Sequence, residues 1–346
     1  MLSIDTPSLI KAKALSNGHV VKINDNIVRY VGGFCVVFPF QISNNKKYAV
    51  RCWFVNVADA KTRTKLIAEE LLKVNLPYFV GFEYIDEGII TDLGVQPIVL
   101  MDWIEAKPLK IYLEEHLNDS LAIAHLADKF KKMVAELHMY NLAHGDLQHG
   151  NIMVKDNGDI VLVDYDSMYV PALEGYKDEI KGLEGYQHRA RWNNDYMTPK
   201  VDYFSELIIY TSLKTLSIYP DLWSKLNIGD SDTLLFTSED LASRGNSPIF
   251  VVLDSDSKLK NLSRAIKQAL NKTNIEDLLP LEEALVFPQE KIVKEMKSQW
   301  ENNGYVKPCA NYDSIVDSAK DIWDDNGYMV EKYDTEADIK ETMKKW

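Results

Sequence analysis

Two short acidic motifs, separated by a predicted pair of short strands, restrict most strongly what this chain of 346 residues can fold into. Asp146 and Asn151 stand five positions apart in the run His-Gly-Asp-Leu-Gln-His-Gly-Asn, and Asp164 follows thirteen positions later, after the apolar run Val-Leu-Val. A lone aspartate or asparagine in a loop usually caps a helix or forms a turn. At these intervals, however, one carboxylate can orient a hydroxyl nucleophile while a carboxamide and a second carboxylate hold Mg²⁺. The pattern therefore predicts transfer of a phosphoryl group from a nucleotide.

Composition excludes several other classes of protein. With 46% apolar and 26% charged residues, the chain is predicted to be globular, and no run approaches the roughly 18 apolar residues of a membrane span. The net charge of -13 argues against a nucleic-acid partner, which normally requires a clustered basic surface. The N-terminus lacks the apolar core of a signal peptide, and the three scattered cysteines predict packed free thiols. We therefore expect a cytoplasmic protein with no membrane partner.

Hydrophobic periodicity predicts an α+β protein in which a small sheet precedes a set of helices. The expected order is three strands, one helix and two strands, with Asp86-Glu87-Gly88 as the turn between the last two strands. Longer amphipathic or apolar segments then predict helices, interrupted by a long irregular stretch over 167–200. The predicted strands cover 27–31, 34–42, 47–54, 79–85 and 97–103, and the main predicted helices cover 60–74, 121–140 and 202–216.

The motifs, taken in this order, resemble the protein-kinase family. The run from His144 to Asn151 is similar to the catalytic loop, and Asp164-Tyr165-Asp166 stands where that family has Asp-Phe-Gly. Asp202 begins an apolar helix, as does the family's aspartate that anchors the catalytic-loop backbone. The resemblance covers roughly residues 20 to 280 and implies a bilobal fold. Its parts would be an N-terminal segment (1–18), a small antiparallel β lobe with one helix (19–103), a larger and mainly helical lobe (104–280) and a helical C-terminal extension (281–346).

The resemblance also implies ATP and Mg²⁺ as ligands and assigns roles to individual residues. Asp146 would be the catalytic residue that orients the acceptor hydroxyl, while Asn151 and Asp164 would hold the metal. His144 is expected to pack against the loop and fix its shape. The nucleotide would lie between a glycine hairpin, the third strand and the hinge. The residues implied there are Gly32, Gly33, Val37, Ala49, Arg51, Met101 and Trp103.

Arg51 departs from the family pattern because it replaces the phosphate-binding lysine of the third strand. Arginine keeps the positive charge and can contact two phosphate oxygens, but it is bulkier and planar. Its partner on the following helix stays open, since Glu69 and Glu70 are nearby whereas a gapless match places Ile67 there. Binding of phosphate by Arg51 is expected, and the catalytic geometry is in question.

Two further departures lie in the catalytic loop. Gln148, assigned to the catalytic group, stands where serine/threonine kinases carry a lysine, a feature shared with aminoglycoside and choline phosphotransferases. Gly145 replaces the arginine that receives a phosphorylated activation segment, so a phosphorylation switch within the chain is not expected. In that segment the basic residues His188, Arg189 and Arg191 predict either an acidic ligand or, as the favoured interpretation, an internal salt bridge.

Three functional hypotheses follow from these features. The leading hypothesis is an atypical, bacterial-type kinase that uses ATP and Mg²⁺ to phosphorylate a hydroxyl of a protein partner. A pseudokinase that binds nucleotide or acts as a scaffold is the first alternative, because Arg51 and the sparse glycine hairpin weaken the phosphate site. A small-molecule kinase is the second alternative, because of Gly145 and Gln148. The oligomeric state is left open.

Overall fold

The structure is a computed structural model that describes residues 3–31, 35–43, 45–53 and 59–286. It is an α+β protein, as predicted, with a curled antiparallel sheet in the first third of the chain and mainly helices in the rest. The described residues end at Val286, so the predicted helical extension over 281–346 lies almost entirely outside them. None of the described helices combines the length and apolar character needed to span a membrane.

The main sheet is antiparallel, and its two longest strands, β7 and β8, lie side by side at one edge. Its strand order is β1-β5-β6-β8-β7, and β4 also pairs with β5, while β2 and β3 form a separate hairpin and β11-β10-β9 a small third sheet. The strands are β1 (His19–Val20), β2 (Lys22–Ile23), β3 (Asn26–Ile27), β4 (Tyr30–Val31), β5 (Cys35–Gln41), β6 (Lys47–Trp53), β7 (Phe82–Thr91), β8 (Gly94–Asp102), β9 (Lys107–Pro108), β10 (Ile152–Val154) and β11 (Ile160–Leu162).

Helices are the main regular elements of the described chain after β9. The long helix α4 is buried around most of its circumference because α3, α8 and α9 pack against it, which explains its nearly continuous apolar sequence. The helices are α1 (Ala60–Val74), α2 (Leu109–Glu115), α3 (Ser120–Met139), α4 (Tyr203–Ile218), α5 (Leu222–Lys225), α6 (Ser238–Ala242), α7 (Pro248–Ser255), α8 (Lys260–Leu270) and α9 (Leu281–Ala284). The predicted bounds of α1 are confirmed.

The predicted turn at Asp86-Glu87-Gly88 is wrong. These residues lie within β7, where the pairing with β8 shifts register between Ile85 and Ile89, and the chain reverses instead before Gly94. Gly88 is needed because a side chain there would collide with Ile98 on the neighbouring strand. The turn-like composition therefore marks a bulge with close packing rather than a chain reversal.

The N-terminal segment packs against the outer face of the main sheet, a contact that the sequence did not predict. Ile4, Ala12 and Leu15 are buried in one apolar cluster with residues of β1, β5, β6, β7 and β8. The backbone N–H groups of Lys11 and Ala12 both donate to the carbonyl of Gly88, at 2.9 and 3.1 Å. The bulge in β7 thus supplies the acceptor that fixes this segment.

His138 joins three helices at the base of the helical region. Its Nε2 lies 2.9 Å from Oε1 of Glu206 in α4, and its Nδ1 lies 2.9 Å from Oε1 of Glu282 in α9. Burial alone lowers the pKa of His138, but the two carboxylates outweigh that effect and raise the pKa to about 9. The imidazolium form therefore stabilises the packing of α3, α4 and α9.

Candidate active site

The catalytic-loop backbone is held by Asp202, as the sequence predicted. The carboxylate of Asp202 is almost fully buried and accepts hydrogen bonds from the backbone N–H groups of His144 and Gly145, the latter to Oδ1 at 3.0 Å. Asp202 immediately precedes α4, so this deeply buried helix fixes the position of the loop. A charged acceptor for two backbone donors makes this a rigid junction.

His144 fixes the shape of the loop, which confirms the role expected for it. The ring is fully buried, and Nε2 lies 2.9 Å from the carbonyl of Val163, directly before Asp164. The backbone N–H of Asp146 approaches Nδ1 at 3.4 Å. The imidazole with its proton on Nε2 satisfies both contacts, so it links the two acidic motifs.

Close packing requires a glycine at position 145, independently of the loss of the arginine that the resembled family has there. Its φ is +78°, and a side chain there would collide with the backbone carbonyl of Ser167. The loop and the segment after Asp164 therefore approach each other more closely than any residue with a Cβ allows.

Asp146 and Asn151 are in direct contact. The Nδ2 of Asn151 donates to the carboxylate Oδ2 and the carbonyl of Asp146, at 3.0 and 2.9 Å. The other carboxylate oxygen, Oδ1, accepts from the backbone N–H of Leu183 at 2.8 Å. Burial raises the pKa of Asp146, and the N–H of Leu183 opposes this effect. The carboxylate is therefore oriented by donors on both sides.

The oxygen atoms near Asp164 fit a hard divalent cation. Because Nδ2 of Asn151 is used by Asp146, its carboxamide oxygen is left as a possible ligand. Asp164 adopts a left-handed conformation with φ +66° and leaves 47% of its side chain exposed. Two oxygen ligands from protein, completed by phosphate and water, are a usual Mg²⁺ environment. No cluster of three or more His, Cys, Asp or Glu residues able to hold a metal ion occurs within the described ranges.

Arg51 is the cation nearest to these carboxylates, and its partners differ from those considered in the sequence. It is 5% exposed; Nη1 lies 2.9 Å from Oδ1 of Asp164 and 2.9 Å from Oδ1 of Asp166, and Nη2 contacts Oδ2 of Asp166. The Nε donates to the Sγ of Cys35 at 2.9 Å. Burial alone lowers the pKa of Arg51, but the two aspartates raise it above its ordinary value.

The helix α1 supplies no carboxylate to Arg51. Ile67 is buried and lines, together with Thr64 and Asp166, the small cavity next to the guanidinium. Glu69 is exposed, and Glu70 pairs with Lys73 at 3.1 Å. The gapless match that placed Ile67 at this position is therefore confirmed, and neither glutamate is the partner.

Among the described residues, those predicted to bind the nucleotide lie on or next to neighbouring strands of the main sheet. Val37 is opposite Arg51, and Ala49 is opposite Met101, which also lines the cavity at Arg51. Trp103 follows β8, and its Nε1 is buried without a hydrogen-bond partner among the described residues. Such an orphaned donor costs free energy unless an acceptor is supplied.

Two predicted site features are constrained less by the structure. Gly32 and Gly33 lie outside the described residues, and the strands on either side, β4 and β5, pair antiparallel. Gln148 folds back on its own loop, and its Oε1 accepts from the N–H of Gly150 at 2.6 Å. The other end of this carboxamide, its Nε2 amide nitrogen, is left to face a ligand. Its assignment to the catalytic group stays a prediction.

The internal salt bridge predicted for the basic cluster is confirmed for Arg191. This residue is fully buried, with Nε 2.8 Å from Oδ2 and Nη2 3.0 Å from Oδ1 of Asp178. Its Nη1 donates to the carbonyl of Gly145. His188 contacts the carbonyl of Ala269, while Arg189 lines a surface cavity of about 510 Å³. The segment after Asp164 is therefore attached to the catalytic loop by a buried arginine.

Asp166, Tyr165 and Arg63 are site residues that the sequence reasoning missed. The hydroxyl of Tyr165 accepts from the N–H of Val80 and donates to the carbonyl of Leu162, at 2.9 and 2.7 Å. Arg63 of α1 donates to the carbonyl of Asp166 at 3.3 Å. The tyrosine and second aspartate in Asp-Tyr-Asp, where kinases have Asp-Phe-Gly, were the available sequence signal for the first two.

Comparison with known proteins gives one weak and partial likeness. No family model matches the chain. A probable serine/threonine-protein kinase zyg-1 of Caenorhabditis elegans is 28% identical over 130 residues, which is 36% of this chain. That alignment spans 17% of the length of the curated relative. Together with the curled antiparallel sheet followed by helices, this similarity is compatible with a kinase-like fold and with a kinase-like phosphotransferase.

Proposed function

We propose that the protein is an ATP- and Mg²⁺-dependent phosphotransferase, an atypical kinase that phosphorylates a serine or threonine hydroxyl of a protein. The observation that carries the proposal is the grouping of Asp146, Asn151 and Asp164 around one loop whose backbone is fixed by Asp202. Phosphoryl transfer needs positioning and charge neutralisation more than covalent chemistry from the protein. A buried, multiply bonded loop supplies that positioning.

In this proposal each residue has a physical task. Asp146 accepts the proton of the acceptor hydroxyl as that oxygen bonds to the terminal phosphorus and the bond to the leaving diphosphate breaks. The N–H of Leu183 keeps the carboxylate oriented. Asn151 and Asp164 would hold Mg²⁺, which neutralises phosphate charge when bound. Arg51 would contact a phosphate oxygen through a donor that its aspartate partners leave unused.

A protein acceptor is favoured over a small molecule by the segment after Asp164. Arg191 and Asp178 attach this segment to the catalytic loop, so it forms a fixed wall next to Asp146. In α3 the chain runs from Ser120 to Met139 directly toward the loop, without an inserted subdomain that could enclose a small substrate. The similar C. elegans protein is a probable serine/threonine-protein kinase, which supports this choice.

The pseudokinase alternative is favoured by one specific contact. Arg51 already engages Oδ1 of Asp164, so the guanidinium competes with a metal ion for this carboxylate. If that pair persisted with nucleotide bound, the protein would bind ATP without transferring phosphate. The two functions differ in turnover and not in binding.

The experiment measures nucleotide-dependent thermal stabilisation and transfer of labelled phosphate to the protein itself and to generic protein acceptors. We expect wild type to be stabilised by ATP with Mg²⁺ and to transfer label. Asp146→Ala should bind but lose transfer, Asp164→Asn should lose metal-dependent stabilisation, and Asp156→Ala, with a side chain 92% exposed, should match wild type. Stabilisation without transfer in wild type would establish the pseudokinase. Absence of both would refute the proposal.

A further inference from the structure

Arg51 is bound by two aspartates of the same short segment, which distinguishes it from an arginine that merely replaces a lysine. Asp166 contacts both terminal nitrogens of the guanidinium, whereas Asp164 contacts only Nη1. Asp166 is also the more buried of the two, with 19% of its side chain exposed against 47% for Asp164. The stronger and more enclosed contact is therefore made by the residue that has no role in the predicted metal site.

The helix that faces Arg51 offers only uncharged side chains at this point. From α1, Thr64 and Ile67 line the cavity of about 10 Å³ beside the guanidinium, and Asp166 also lines it. A buried guanidinium without a carboxylate would be strongly unfavourable, so Asp166 supplies the charge that α1 lacks. Ile67 and Asp166 thus line the same small cavity next to this cation.

The donor inventory of Arg51 indicates what remains for a ligand. A guanidinium has five N–H donors. The contacts to Cys35, Asp164 and Asp166 use four of them: one on Nε, two on Nη1 and one on Nη2. One Nη2 donor is left, and its direction is fixed because the planar group is held at both ends.

Asp166 is itself connected to α1. The Nη2 of Arg63 donates to the carbonyl of Asp166 at 3.3 Å, and its Nη1 reaches the carbonyl of Lys177. The position of the helix is therefore transmitted to Arg51 through the backbone of the segment after Asp164, rather than through a glutamate on the helix.

We propose that Asp166 is a positioning residue that orients Arg51 toward the phosphates of the nucleotide. It would do so from the segment after Asp164, in place of a carboxylate on α1. This inference rests on the proposed phosphotransferase function. It adds that Arg51 and Asp166 form one functional unit, because the two terminal nitrogens of the guanidinium each bind one oxygen of the Asp166 carboxylate.

The test uses the full-length chain and two readouts. Binding of a non-hydrolysable ATP analogue with Mg²⁺ is measured by calorimetry, and kcat and KM for ATP are measured by phosphate transfer. We expect Asp166→Asn to weaken analogue binding about 10-fold or more, the usual effect of removing a charged hydrogen-bond acceptor. We expect the loss of kcat/KM to lie mainly in KM. Asp221→Asn, an exposed carboxylate paired with Lys225, is the matched control and should equal wild type.

A rescue variant separates positioning from general stability. Ile67→Glu in the Asp166→Asn background places a carboxylate on α1 against the same guanidinium. The double variant should bind the analogue at least about threefold more tightly than Asp166→Asn does. Loss in Asp166→Asn without recovery in the double variant would contradict the proposal, as would wild-type values in Asp166→Asn. A wild-type protein that neither binds the analogue nor transfers phosphate would refute the proposed function and this inference with it. Wild-type activity with an indifferent Asp166 would refute only the inference.

Discussion

Removal of the Asp178 carboxylate is the perturbation for which the structure gives the clearest expected cost. Arg191 is 0% exposed, and Asp178 is its only carboxylate partner among the described residues. In Asp178→Ala the guanidinium stays buried with only neutral acceptors, the carbonyls of Gly145 and Ile180 and the Oε1 of Gln187. Lys181 would lose a weaker contact of 3.4 Å.

Leaving one member of a buried ion pair without its partner typically costs about 3–5 kcal/mol. Because three neutral acceptors remain around Arg191, we expect the lower part of that range, about 3 kcal/mol, in the free energy of unfolding. Arg191→Met removes the charge but also the donors to Gly145. In the double variant no charge is left unpaired, so it should be less destabilised than the sum of the single variants by about 2 kcal/mol.

The assay is urea denaturation of wild type, both single variants and the double variant, with circular dichroism and tryptophan fluorescence compared for coincidence. Asp221→Ala, an exposed aspartate in an i,i+4 pair with Lys225, is the control and should be unchanged within error. A loss below about 1 kcal/mol in Asp178→Ala, or strict additivity in the double variant, would refute the reasoning. Either result would mean that water or rearrangement compensates the buried charge.

Two further predictions concern backbone packing and pH. Gly145→Ala should destabilise the protein by about 2–4 kcal/mol, because left-handed strain adds to a collision with the carbonyl of Ser167, while Gly94→Ala, at φ +93° in open space, incurs only the strain. Equal urea midpoints for the two variants would contradict this. The pKa of His138 is raised by Glu206 and a second carboxylate to about 9, so its stabilisation is complete below about pH 6.5 and is lost as the pH rises through about 9. Wild type should lose about 2–3 kcal/mol across that window relative to His138→Gln, and parallel pH profiles would rule this out.

Local sequence signals were sufficient for the parts of the site that depend on spacing along the chain. The intervals between Asp146, Asn151 and Asp164 predicted their grouping, and the family resemblance implied the anchor at Asp202. The bounds of α1 followed from helical periodicity, and the structure shows Asn75 ending this helix in a left-handed conformation. For α1 the structural cause lies within the helix itself, whereas Asp202 and His144 are 58 positions apart, so that contact followed from the order of the motifs.

The contacts that sequence reasoning missed join residues far apart in the chain. Arg51 and Asp166 are separated by 115 positions, and nothing local to Arg51 indicates its partner. The family resemblance implied a partner on the following helix, where that family has a glutamate. At Gly88 the residue type was informative but ambiguous, since a glycine permits either a reversal or the close approach of Ile98.

Two departures from the resembled family, Gly145 in the loop and the buried Arg191 in the segment after Asp164, compensate for each other. A conventional catalytic-loop arginine binds a phosphate on the activation segment, so its effect depends on modification. Here the arginine belongs to the segment instead of the loop. Arg191 donates to the carbonyl of Gly145 in the loop and is paired with the carboxylate of Asp178. A carboxylate carries its charge without a modifying enzyme. We therefore expect the segment to be ordered as synthesised, so that control of this site, where it exists, acts on Arg51 and Asp166 rather than on phosphorylation.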